Sequence, residues 1–153
     1  ATYTVTASNS AGSTTAGVTI SVVTSFNNWA TQNGLSGANA LPGADPDNDG
    51  FTNQQEYAFG GNPNSGTTSL VSVARSGSSL VLTWLQRTDA AAGAYKVLST
   101  SNLTTGFAVD ALLTAGVTTP ADQSAAPSGY VVQQVAVTIT GEKNFLALAF
   151  DLL

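Results

Sequence analysis

Between Ala44 and Pro63 the chain reads ADPDNDGFTNQQEYAFGGNP. Asp45, Asp47, Asp49 and Glu56, four of the nine acidic residues, fall within twelve positions there. Charged residues make up only 8% of the sequence, so the crowding does not follow from an acidic composition. Like charges held this close repel and cost stability unless something positive sits between them. Two local folds remain: an open acidic turn solvated by water, or a loop coiled around a cation.

The spacing favours the second. Counted from Asp45, the three aspartates stand at positions 1, 3 and 5, with Gly50 at 6, Phe51 at 7, Asn53 at 9 and Glu56 at 12. This is the D-x-D-x-D-G-x5-E register of a twelve-residue calcium loop. A tightly coiled loop turns alternate side chains inward, so the three carboxylates converge. Gly50 permits the sharp turn, and the Phe51 carbonyl then points into the site. Asn53 is expected to bind directly or through water. Glu56, on the first turn of an exit helix, closes the site with both oxygens. Oxygen donors without nitrogen or sulfur select Ca²⁺ over Zn²⁺ or Cu²⁺. The expected metal ligands are therefore Asp45, Asp47, Asp49, Phe51, Asn53 and Glu56.

The remaining sequence predicts a mostly β fold. TYTVTASNSAGSTTAGVTISVV alternates strictly, with Tyr3, Val5 and Ala7 on one face and threonines on the other. It reads as a hairpin turning over Ser8–Gly12, with a second strand from Gly17 to Val23. Ser25 can cap a short helix that puts Phe26, Trp29 and Ala30 on one face and ends at Gly34. A second helix is expected over Asn53–Phe59, stopped by Gly60-Gly61 and Pro63. From Ser69 onward the β pattern returns. SLVSVA and SLVLTWLQR form a hairpin, AYKVLST another strand, and YVVQQVAVTIT and NFLALAFDLL close the chain around a turn at Gly141–Lys143. Leu103–Pro127 predicts one or two short strands and loops. The expected organisation is an N-terminal hairpin over 1–23, a helix–calcium loop–helix over 24–66 and a β-domain over 67–153.

Composition narrows the function. Lys and Arg total four, which gives no basic patch for nucleic acid or anionic membrane. There is no Cys, hence no disulfide framework or thiolate metal site, and no His, the commonest general base. No apolar run reaches the roughly 18 residues of a membrane-spanning helix. A serine nucleophile would lack its base. Asp89, Asp110, Asp122, Glu142 and Asp151 stand in no recognisable catalytic setting. No enzyme is expected. The chain does not begin with Met, which reads as a processed product or a piece of something longer.

DPDNDGFTNQQEYAFGGNP resembles the single calcium loops of EF-hand, dockerin and thrombospondin type 3 character in secreted bacterial surface proteins. The flanking FNNWATQNGLSG and EYAFGGNP resemble such segments in autotransporter-type proteins. TYTVTASNSAGSTT resembles the last two strands of a bacterial immunoglobulin-like domain, with Tyr3 at the tyrosine corner and Val5 where a Cys often stands. These resemblances imply an immunoglobulin-like or related β-sandwich with one EF-hand-like motif, located outside the cell or on its surface. With a single loop, Phe26, Trp29, Tyr57 and Phe59 are expected to pack on the β-domain.

A two-stranded hairpin is marginal alone. It packs on its own chain, is the stump of another domain, or adds to a sheet of a neighbouring copy by strand donation, which would build a homo-oligomeric filament. The expected function is a calcium-binding, self-assembling fibre subunit. The alternatives are a carbohydrate-binding or adhesin module with Trp84, Tyr95, Phe107 and Tyr130 as an aromatic platform, or a spacer or anchoring segment of a larger secreted protein.

Overall fold

The structure is a computed structural model, and it describes residues 2–19, 25–66, 68–90, 94–138 and 145–151. The described residues are mostly β, with eight strands in three antiparallel sheets. β1 (Thr2–Asn9) and β2 (Gly12–Thr19) form a two-stranded sheet. β3 (Val71–Ser76), β4 (Ser79–Arg87) and β7 (Tyr130–Thr138) form a second sheet in the order β3-β4-β7. β5 (Tyr95–Thr100), β6 (Ala108–Val109) and β8 (Phe145–Phe150) form a third in the order β6-β5-β8. The helices are α1 (Ser25–Gln32), α2 (Asn53–Phe59) and α3 (Ala111–Ala115). None is long and apolar enough to cross a membrane.

The period-two pattern explains the core. Leu82 and Trp84 of β4, Tyr95 and Val97 of β5 and Val135 of β7 are buried together, so the two three-stranded sheets share one sandwich-like core. Ala58 and Phe59 of α2 join it, and Phe59 meets the Tyr95 ring edge-on at 5.5 Å. A second cluster unites Phe26 and Ala30 of α1 with Tyr57 of α2, flanked by Trp29 and by Phe150 of β8. Phe26, Tyr57 and Phe59 are buried, as the sequence predicts, and Trp29 packs half-buried beside them.

Several expectations change. The N-terminal turn is tighter: Asn9 pairs with Gly12, and the Asn9 Oδ1 accepts from the Ala11 N–H at 2.9 Å. The asparagine closes the turn on itself, so β2 begins at Gly12 rather than Gly17. Residues 20–24, and the side chains of Tyr3 and Val5, lie outside the described set. β7 and β8 do not pair with each other. β7 pairs with β4 and β8 with β5, so consecutive strands pass between sheets. The turn at Gly141–Lys143 lies outside the described residues. α3 was not expected; Asp110 nucleates it by accepting from the Leu113 N–H at 3.0 Å.

Candidate metal centre

The loop is built from its own backbone. Both Asp45 carboxylate oxygens accept main-chain hydrogens, from Asp49 N at 3.3 Å and Gly50 N at 3.0 Å. Asp49 Oδ1 accepts from Phe51 N at 2.8 Å. Asn48 at φ 60° and Gly50 at φ 94° take the left-handed turns that coil the chain. Asparagine tolerates that region better than most residues, and glycine enters it freely.

α2 starts where the loop ends, and its first N–H groups are provided for. Thr52 caps the helix in a reciprocal box: Gln55 N donates to Thr52 Oγ1 at 3.4 Å and Thr52 N to Gln55 Oε1 at 2.8 Å. Asn53 N donates to the Ala44 carbonyl and Gln54 N to the Pro42 carbonyl. The sequence reading missed this cap, although the T-x-x-Q spacing is the signal that could have found it. Asn53 is 0% exposed, and its Nδ2 donates to the carbonyls of Asn39 at 2.7 Å and Leu41 at 2.9 Å. That clasp, unseen in the sequence, ties the exit helix to the 3-10 turn Gly37–Ala40.

Asp45, Asp47 and Asp49 converge, each with a carboxylate oxygen within 4.8 Å of the others. Both Asp47 oxygens are buried without a hydrogen-bond partner among the described residues, and so is the Asn53 Oδ1. Glu56 does not belong to the converging trio. It is 0% exposed on α2, and its side chain lies against Gly61, where an added Cβ would come within 2.9 Å of Oε1. Phe51 is half-buried at the loop exit. The helical part also departs from an EF-hand, in which the incoming helix leads straight into the loop. Here α1 ends at Gln32, and a 3-10 turn stands between it and Asp45.

The far end of α2 shows a feature with no sequence signal. A helix leaves its last carbonyls unpaired. The Glu56 carbonyl accepts from Gly60 N and Gly61 N. The Tyr57 carbonyl accepts from the Tyr130 hydroxyl at 2.9 Å, and the Ala58 carbonyl from the Tyr95 hydroxyl. Arg87 lies 4.1 Å above the Tyr57 ring and is held by a bidentate pair with Asp89 at 2.7 and 2.8 Å. The hydrogen bond from Arg87 holds the Asp89 carboxyl below its ordinary range. Burial raises the hydroxyl pKa of Tyr57, Tyr95 and Tyr130.

The other acidic residues that are described have structural uses: Asp110 caps α3, Asp122 accepts from Ser124 N at 2.9 Å, and Asp151 pairs with Lys96. Glu142 lies outside the described residues. Of the aromatic-platform candidates, Trp84 and Tyr95 are buried, Tyr130 is half-buried, and Phe107 is exposed.

Comparison with protein-family models, curated proteins and solved structures gave no match.

Proposed function

We infer that the chain is a calcium-stabilised structural protein of the bacterial cell exterior. The observation that carries this reading is Asp47: two buried carboxylate oxygens without a hydrogen-bond partner among the described residues, set between two further carboxylates. A buried charge without compensation is costly. A divalent cation compensates it, and the all-oxygen surroundings suit Ca²⁺. Asp45, Asp47 and Asp49 would hold the ion, with the Phe51 carbonyl, Asn53 and Glu56 as the remaining candidates in the EF-hand-like register. Bound calcium offsets the repulsion in the loop and seats α2, which carries Ala58 and Phe59 into the core.

A fibre role builds on this. The hairpin β1–β2 has no third strand among the described residues, and β3 leaves one side of its sheet without a described partner. In this reading the hairpin, like the closing strands of an immunoglobulin-like domain, is donated to the next copy and calcium stiffens the junction.

Titration calorimetry tests the metal. Ca²⁺ should bind with Kd of about 10⁻⁴ to 10⁻³ M, and Glu56→Gln should weaken it strongly. Unchanged affinity in that variant overturns the assignment of Glu56; no heat from the parent chain overturns the site. Light scattering in millimolar Ca²⁺ and then in excess chelator tests the fibre. Linear assemblies that shorten in chelator support it, and a monomer in both conditions leaves a binding or spacer module.

A further inference from the structure

The edges of the two three-stranded sheets differ in how they are covered. β7 is met on its outer side by Thr118, which exchanges both main-chain hydrogen bonds with Gln134. β6 is only two residues long, and the end of β8 is met by Gln54 of α2, whose side-chain amide donates to the Phe150 carbonyl at 3.3 Å. β3 is a full six-residue edge. Its open row follows from the register. Gln134 bonds outward to Thr118, so its partner Thr83 turns its main-chain groups toward β3, and Ser72, opposite Thr83, turns its own toward β4. The next residues in alternation therefore face away. Val71, the first of them, is met by the Ser69 hydroxyl. Val73 and Arg75 turn their N–H and C=O to the open side.

Val73 is also uncovered at its side chain. It stands opposite Leu82, and Val71 opposite Trp84, so all four share the inward face. Leu82 and Trp84 are buried, yet Val73 is 60% exposed, because the sheet β6-β5-β8 does not reach over it. Edge strands are ordinarily protected by lysine, proline or a bulge. β3 has neither lysine nor proline, and its pairing with β4 runs unbroken from Val71 to Ser76. Its one charge, Arg75, is turned back onto the Gly77 carbonyl at 3.1 Å.

What completes such an edge is another strand, apolar on the side that meets Val73. Each copy of the chain carries a net charge of −5, so two copies repel except where carboxylates are missing. β1 and β2 hold no charged residue at all. Thr6 and residues 8–15 are exposed, so the outer half of the hairpin is within reach of a neighbour. Tyr3, Val5 and Ala7 alternate along β1 with the period that sets Val71 and Val73 on one face. We propose that β3 is the acceptor edge of the contact between copies: β1 of a second copy pairs with the open row at Val73 and Arg75 and sets its apolar face beside Val73. This names the acceptor for the strand donation proposed above and rests on that reading.

The chain has no cysteine, so introduced cysteines can link only to each other. Val73→Cys is mixed in millimolar Ca²⁺ with Tyr3→Cys, Val5→Cys or Ala7→Cys under mild oxidation. Paired strands bring Cα atoms to about 4.5–5.5 Å, within disulfide reach. The expected result is a disulfide between the two variants for at least one donor position, identified by mass spectrometry and in excess of the dimers that each variant forms alone. Val73→Pro removes an outward N–H and no ladder hydrogen bond. It should keep the parent's melting temperature and return the chain to monomer in light scattering. Val73→Lys, which leaves the main chain intact, should do the same. Parent-sized assemblies in both variants overturn the acceptor assignment and leave the fibre reading standing. So does the absence of a mixed disulfide at all three donor positions, or a link that forms within one copy of a double variant. A parent chain that stays monomeric in calcium overturns both readings.

Discussion

Asp47 sets up a stability crossover. Replacing it by Asn removes one of three mutually repelling carboxylates and keeps the shape. In chelator, Asp47→Asn should melt at or above the parent temperature; in calcium it should lose the parent's gain. Differential scanning calorimetry in both buffers checks this, and a variant that gains stability from calcium as the parent does refutes the role of Asp47. Gly61 makes a second residue-scale test. A methyl group there would meet Glu56 Cγ at 2.8 Å and Cβ at 2.9 Å. Gly61→Ala should therefore cost about 1–3 kcal/mol in denaturant unfolding. The acidic register was legible because position and chemistry coincide: Asp45, Asp47 and Asp49 do converge. The placement of Glu56 beside Gly61 was not, because sequence spacing fixes the turn of a helix and not which way a long side chain leans.

At the scale of elements, α2 is fastened at both ends. Thr52 and the Asn53 clasp hold its start, and Tyr130 and Tyr95 hold its finish. Tyr95→Phe and Tyr130→Phe should each cost about 1–3 kcal/mol in denaturant unfolding, since each leaves a helix carbonyl without its donor. A loss within error in both would mean that water replaces the hydroxyls. The helix itself could be read from Asn53 to Phe59 because Gly60, at φ 77°, is a left-handed stop. The strands could be read from their alternation. The hairpin pairings β1–β2 and β3–β4 could be read as well; that of β7 and β8 could not, because their apolar faces say that each is buried, and either sheet satisfies that demand. α3 escaped notice because five residues carry little periodicity, and its cap, Asp110, resembles any loop aspartate.

Across the whole molecule, two solvent conditions should govern stability. On the calcium reading proposed above, the ion at about one to ten times its Kd adds about 0.5–1.5 kcal/mol, so chelation should lower Tm by about 1–6 °C. High pH acts on the tyrosines. Burial raises the pKa of Tyr57, Tyr95 and Tyr130 in the folded chain. Above the unfolded phenol value of about 10, the folded state retains protons that the unfolded state has released, and stability falls as pH rises. Below that pH this contribution is fully present. Unfolding midpoints measured from neutral pH upward should stay level and then drop beyond about pH 10. A flat profile would mean that the three hydroxyls ionise as freely folded as unfolded.

The tyrosine fastening of α2 also sets an order of events. The Ala58 carbonyl waits for a residue 37 positions later, and the Tyr57 carbonyl for one 73 positions later. A chain emerging amino-terminus first, from a ribosome or through a narrow export pore, presents its acidic loop well before the strands that complete the helix behind it. On the calcium reading proposed above, the loop would meet the ion before those strands are in place. Ion capture and closure of the β-sheets would then be late steps that finish together.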